Sequence, residues 1–206
     1  ANSKVGMKAA DYFKPYDDII YEIGLTPNRM DAMSHWGVAR DVCAYLNHHD
    51  KKDYKPIPPE ARPNGNGFKT DNTSLTIDVK VENEMACPRY SGISIANVAI
   101  KESPKWLQQK LKAIGLRPIN NIVDITNFIQ HETGQPLHAF DADRISGKKI
   151  IIKNLPEGTS FISLDEKERK LNAEDLMICD GKEGICIAGV FGGLHSGVTD
   201  KTKNIF

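Results

Sequence analysis

Hydrophobic and polar positions change period several times along the chain, and each change predicts an element. The apolar cluster in DDIIYEIG (17–24) predicts a short strand, and Leu25-Thr26-Pro27-Asn28-Arg29 reads as a turn. From Ser34 the period lengthens. Val38, Val42, Tyr45 and Leu46 fall on one face of a helix that Asp31 or Ser34 can cap, with His48 and His49 at its negative end. LTIDVKVE (75–82) alternates, placing Leu75, Ile77, Val79 and Val81 on one face of a half-buried strand. RYSGISIANVAI (89–100) is its expected partner, and Gly92 predicts a bulge or a close approach. A helix follows, with Ser103 as N-cap, Pro104 at the first helical position and Gly115 as terminator; it carries Trp106, Leu107, Leu111 and Ile114.

The second half centres on LRPINNIVDITNFIQHETGQPLHAFD (116–141). Ile122, Ile125 and Ile129 form an apolar stripe on a predicted helix, and Asn120, Asp124, Asn127 and His131 line up opposite, with Thr126 on the border. Gly134 supplies a left-handed stop, and Gln135-Pro136 turns the chain so that His138 can point back toward the helix. Beyond it, KKIIIKN (148–154) reads as a strand. SFISLDEKERKL (160–171) reads as a hairpin turning near Asp165-Glu166, and LMICDGKEGICIAGVFGG (176–193) as a second turning at Asp180-Gly181. Strands in runs, with two or three helices bundled between them, predict an α+β fold of mostly antiparallel or mixed sheets packed with helices, preceded by a small α/β segment. Four prolines and two glycines between Lys51 and Asn72 mark a boundary. The expected organisation is a strand–helix segment over 1–55, a linker over 56–72 and the main domain over 73–206.

Composition narrows the function. The 206 residues carry 27 basic and 27 acidic side chains, which argues against coating nucleic acid by bulk charge. The lysines at 105, 110 and 112 still make a modest basic face. No apolar run approaches the ~20 residues of a membrane span, and no signal pattern opens the chain, so no membrane partner is expected. Cys43, Cys87, Cys179 and Cys186 include no C-x-x-C pair, which fits a reducing cytoplasm and argues against zinc or a disulfide framework.

Candidate chemistry is local. On spacing alone the central helix fits a solvated amphipathic helix, but Arg117 before it and PLHAFD after it keep a functional reading open. AGVFGG (188–193) lacks the residues of a P-loop and the spacing of a dinucleotide fingerprint, so a tight structural turn is the favoured reading. His131, His138 and His195 with Asp141 match no metal-ligand spacing, no G-x-S-x-G supports a serine hydrolase, and Cys179 and Cys186 lie in apolar strands. The residues themselves lead to a polar pocket around 120–141 and to no particular reaction.

RPINNIVDITNFIQHETGQPLHAFD resembles the signature of the B3/B4 domain in the β subunit of bacterial phenylalanyl-tRNA synthetases. YEIGLTPNRMDAMSHWGVARDVCAYL upstream and GICIAGVFGGLHSGVTDKTKNIF downstream are similar to further blocks in the family's order, so the resemblance spans roughly residues 18 to 206. It implies an editing site that hydrolyses tyrosine from wrongly charged tRNA(Phe), with Arg117, Thr126, Asn127, His138 and Gly192 as substrate-binding residues. It implies the acceptor end of that tRNA, tyrosine and the synthetase α subunit as partners. No cofactor is expected in this stretch; the ATP and magnesium of the full synthetase belong to sites outside it. The upstream block belongs in the family to a neighbouring domain split around an insertion.

The physical logic of that job suits the residue types. A pocket shaped for phenylalanine rejects tyrosine weakly, whereas a second site that hydrogen-bonds the hydroxyl can discriminate by ~10⁴ or more. His138, with a carboxylate, suits reading the hydroxyl. Thr126 and Asn127 suit holding the aminoacyl end or a water, and Gly192 suits close backbone approach. Ester hydrolysis needs an oriented water and a stabilised oxyanion more than a strong nucleophile. The family places its hydroxyl-reading glutamate just beyond the NIF at 204–206, so the resemblance implies that this stretch keeps the pocket and edits poorly. The alternative is a non-catalytic tRNA-binding or subunit-docking module.

Overall fold

Ile150 and Ile152 have no exposed surface at all, and the strand that carries them is the second of a five-stranded mixed sheet. The computed structural model describes residues 4–59, 69–71 and 73–206. Strand β1 (Asp78–Val81) runs parallel to β2 (Lys149–Asn154), pairing Val79 with Ile150. Strand β2 is also hydrogen-bonded to the later of the two predicted hairpins. Before that hairpin comes a separate two-stranded ribbon of β3 (Ser160–Ile162) and β4 (Glu168–Lys170). Strands β5 (Leu176–Cys179), β6 (Gly184–Ile187) and β7 (Phe191–Gly192) complete the main sheet, in the order β1-β2-β5-β6-β7.

Period-two alternation gives this sheet two apolar faces. Ile150, Ile152, Ile178 and Ile185 pack with Ile77, Phe140 and Ile145 on one, while Met177 and Cys179 pack with Phe161 and Leu171 on the other. The ribbon is fastened to the main sheet by a bridge between Ser163 and Gly193, and by Leu164 N–H donating to Gly192 O at 3.0 Å. Residues 203–206 pair with two other segments. Ile205 and Ile95 exchange both backbone bonds, and Phe206 and Phe140 do the same.

The helices are α1 (Ala9–Phe13), α2 (His35–Asp50), α3 (Lys105–Ala113) and α4 (Asn121–Thr133). Ser34 caps α2, its hydroxyl oxygen accepting from Gly37 N–H at 2.9 Å. Helix α3 packs on α4, where Trp106 meets Phe128 edge to face at 5.6 Å. Gly134 ends α4 at φ 83°, as its position predicts.

Mixed and antiparallel sheets with a few helices make this an α+β fold, and both predicted hairpins form where their turn residues stand. Other expectations fail. Residues 17–24 form no strand, because no neighbouring strand among the described residues supplies a ladder; Ile19 and Tyr21 stay exposed. The segment 89–100 forms no strand beside β1, whose place is taken by the parallel β2, although Gly92 does make a close approach, to the Phe206 ring. Pro104, not Ser103, occupies the N-cap of α3, its carbonyl accepting from Leu107 and Gln108. Much of the expected 56–72 linker, at 60–68 and 72, lies outside the described residues.

Candidate functional site

Helix α4 does not sit on the protein as a solvated helix would. Its one fully buried residue is Asp124, on the polar stripe, while Ile125 on the apolar stripe is 48% exposed. The Asp124 carboxylate accepts from Ser103 Oγ at 2.6 Å and from Ile119 N–H at 2.8 Å. It thereby ties the lead-in of α3 to the lead-in of α4. Asn120 caps the helix by accepting from the N–H groups of Ile122 and Val123 at 3.1 and 3.0 Å. Asn121 fastens the same end to the 99–101 segment, donating to Ala99 O and accepting from Lys101 N–H. These bonds fix where α4 begins, and Gly134 fixes where the chain leaves it for PLHAFD.

The PLHAFD segment is anchored by its last two residues. Phe140 is buried and exchanges backbone bonds with Phe206. Asp141 is buried, accepts from Thr202 Oγ1 at 2.7 Å, and caps the following turn through Asp143 N–H. His138 therefore projects from a held backbone. Its ring meets Phe140 at 4.5 Å between centroids and lies against the backbone of Gly192. A Cβ on Gly192 would stand 2.6 Å from His138 Cε1 and 2.9 Å from Leu164 Cδ1. Only glycine fits there without displacing a neighbour. One side of His138 stays open to solvent, yet the packing desolvates the ring enough to draw its pKa below the ordinary histidine value.

Leu164 comes from the ribbon turn, which is cross-braced. Ser163, fully buried, donates to Asp165 and accepts from Arg169 Nε at 2.9 Å. Arg169 also pairs with Asp165 at 2.9 Å and lies over the Phe191 ring at 5.5 Å. One arginine thus joins the turn that carries Leu164 to the strand that carries Gly192. Neither Leu164 nor this brace stands out in the sequence; the only signal is the i, i+4 spacing of Asp165 and Arg169.

Of the five residues expected at the site, His138 and Gly192 are in contact. Arg117 is exposed just before α4 and makes no ion pair or hydrogen bond among the described residues. Thr126 donates to Val123 O at 2.8 Å within its own helix, and Asn127 beside it is half-buried. No hydrogen bond or ring contact among the described residues links Arg117, Thr126 or Asn127 to His138. Nucleophilic sulfur chemistry finds no support, since burial pushes the thiols of Cys179 and Cys186 up to about 11 and about 12. What the arrangement offers is an imidazole seated on a buried glycine, beside the exposed side chain of Leu164 and backed by the buried Phe140 ring. An imidazole held in this way can hydrogen-bond a polar group on a ligand.

Comparison with known proteins places this geometry in context. The chain is 53% identical over 206 residues to the phenylalanine–tRNA ligase β subunit of Bacteroides thetaiotaomicron, covering 100% of this chain and 24% of that protein. It is 51% identical over 207 residues to the corresponding subunit of Porphyromonas gingivalis, again covering 100% and 24%. For that of Bacillus subtilis the figures are 44% over 189 residues, covering 92% and 22%. The chain thus spans about a quarter of the length of these curated relatives. A family model described as the B3/4 domain matches residues 86–206, more than half of the chain. The match takes in α3, α4, the PLHAFD segment and the glycine strand, and the chain belongs to the B3/4 domain family.

Proposed function

We propose that this chain carries the editing site of a phenylalanine–tRNA ligase β subunit, which hydrolyses tyrosine from wrongly charged tRNA(Phe). The observation that carries the reading is the seating of His138 on Gly192. A desolvated imidazole rests on the buried Gly192, with Leu164 packed beside it. The phenol of tyrosine suits this setting, with an apolar ring for the exposed Leu164 and a hydroxyl that can donate to the imidazole. Phenylalanine would fill the same space and leave the imidazole unpaired, and an unpaired buried group is costly enough to discriminate. Thr126, Asn127 and Arg117 are assigned to the aminoacyl end and the terminal phosphates of the tRNA acceptor end. In the reaction a water adds to the ester carbonyl, the ester C–O bond breaks, and tyrosine and the free ribose hydroxyl leave.

In this reading the chain works within a cytoplasmic synthetase, with the α subunit as its partner. Among the described residues, no helix is long and apolar enough to cross a membrane. The test is release of tyrosine from Tyr-tRNA(Phe) by the synthetase carrying this sequence, with and without His138→Ala. The expected result is loss of ~100-fold or more in the deacylation rate, with aminoacylation of phenylalanine unchanged. Unchanged deacylation in the variant would overturn the reading.

A further inference from the structure

The groups packed around His138 come from two separate sheets. Gly192 belongs to β7, a two-residue strand at the edge of the main sheet, whereas Leu164 comes from the turn of the β3–β4 ribbon. Both His138 and Leu164 close on one point, where a Cβ on Gly192 would meet His138 Cε1 at 2.6 Å and Leu164 Cδ1 at 2.9 Å. The space beside the imidazole is therefore set by how ribbon and edge strand are held across the seam between them.

Backbone bonds cross that seam on both sides of Ser163. Leu164 N–H donates to Gly192 O and Leu194 N–H to Ile162 O, each at 3.0 Å. They hold the main chain, but the Leu164 side chain is 46% exposed and rides on a strained turn. Glu166 there takes φ 60°, a left-handed conformation that few side chains adopt. Such a turn keeps its shape where its surroundings hold it.

Arg169 supplies that hold. Its guanidinium donates to the buried Ser163 Oγ through Nε and to Asp165 Oδ2 through Nη2, both at 2.9 Å. The planar fork thus grips the residues on either side of Leu164, and a lysine cannot reproduce it. The same guanidinium lies 5.5 Å over the ring of Phe191, the residue before Gly192. That distance is within the range of a cation–π contact.

We infer that Arg169 is a positioning residue for the discrimination between tyrosine and phenylalanine at His138. By clamping Ser163 and Asp165 to Phe191 it fixes Leu164 beside the imidazole, and so sets where a phenol ring can lie. The inference rests on the editing reading for the identity of the ligand. Arg169 makes no hydrogen bond or ring contact with His138 among the described residues, so it acts through Leu164.

The test is a double-mutant cycle of Arg169→Met with Leu164→Ala in the synthetase carrying this sequence, read by single-turnover deacylation of Tyr-tRNA(Phe) and Phe-tRNA(Phe). Arg169→Met is expected to lower the ratio of the two rates ~10-fold, within the ~100-fold that a misplacement of ~1 Å can cost. Leu164→Ala should lower it similarly, and Arg169→Met added to Leu164→Ala should change it by less than ~2-fold. Arg169→Lys keeps the charge without the fork and should not restore the ratio. A readout independent of activity is the NMR titration of His138 in the chain. Loss of the clamp lets more water reach the ring and moves its midpoint up toward ~6.5. Melting curves control for folding. Phe191→Leu removes the other side of the clamp and should give the same changes, which keeps the test decisive if Arg169→Met unfolds.

An unchanged ratio in a folded Arg169→Met or Phe191→Leu variant would overturn the inference. So would full rescue by Arg169→Lys, or an equal effect of Arg169→Met with and without Leu164. Failure here is separable from failure of the editing reading. If the wild-type enzyme releases neither amino acid while Arg169→Met still moves the His138 midpoint, the clamp stands and the editing reading falls. If His138→Ala abolishes hydrolysis while Arg169→Met alters neither ratio nor midpoint, only the clamp falls.

Discussion

His138 Cε1 stands 2.6 Å from where a Cβ on Gly192 would be, so the imidazole rests on the buried glycine. Gly192→Ala must therefore push aside the His138 ring or Leu164. Overpacking of this kind costs about 1–3 kcal/mol of stability, whereas displacing a positioned group by ~1 Å can cost ~100-fold in rate. The variant is expected to stay folded at 25 °C and to lose ~100-fold in deacylation. Melting curves paired with single-turnover deacylation check this, and full activity in a stably folded variant would contradict it.

The titration of His138 has a definite sign. Desolvation lowers its folded pKa below the unfolded value of ~6.5. The neutral ring therefore contributes stability that is fully present above ~pH 6.5 and is lost as the pH falls through the folded pKa. Hydrolysis that uses the neutral imidazole should fall over the same acidic window and be level from pH 7 to 8. A histidine-selective NMR titration measures the midpoint directly. A midpoint at or above the ordinary value would show that the ring is not packed against Gly192 and Phe140.

Asp124 is expected to matter for the fold that carries the site. Asp124→Ala leaves the buried Ser103 hydroxyl without its acceptor and breaks the partly buried bond from Ile119 N–H. At about 1–3 kcal/mol for a buried group left unsatisfied, the expected loss is ~2 kcal/mol, read as a lower denaturant midpoint at unchanged slope. A change under ~0.5 kcal/mol would mean that α4 is not held through this carboxylate.

That carboxylate also shows where sequence reasoning stops. The wheel groups Asp124 with Asn120 and His131, but Asp124 is buried, His131 is exposed and Asn120 caps the helix. Gly134 is legible because a helix stop is chemistry within a few residues, and so are both hairpins, whose turns are local, whereas Asn120, placed on the polar stripe, is the N-cap. The partner of β1 is not legible, since Val79 pairs with Ile150 across a parallel, non-local register. Ser103 looks like a cap until Asp124, distant in sequence, claims its hydroxyl. The same limit applies at the site. PLHAFD flags His138 and the family resemblance flags Gly192, while Leu164 and the Arg169 brace depend on how the ribbon docks.

Thiol reactivity should sort the cysteines by burial. Cys179 and Cys186 are buried with thiols held protonated, at about 11 and about 12, whereas Cys43 and Cys87 are half-buried. With a chromogenic disulfide reagent at pH 8, Cys43 and Cys87 should react in the native state, and Cys179 and Cys186 only on unfolding. Rapid native labelling of Cys186 would contradict the packing of the sheet's first face.

The discrimination between tyrosine and phenylalanine bears most directly on the proposed role. The measurement is the single-turnover deacylation of Tyr-tRNA(Phe) and of Phe-tRNA(Phe) by the synthetase carrying this sequence, for wild type and His138→Ala. The expected result is a rate for the tyrosyl ester ~100-fold or more above that for the phenylalanyl ester, with the difference abolished by His138→Ala. Equal rates for the two esters, or a preference that survives the substitution, would contradict a hydroxyl-reading site on Gly192.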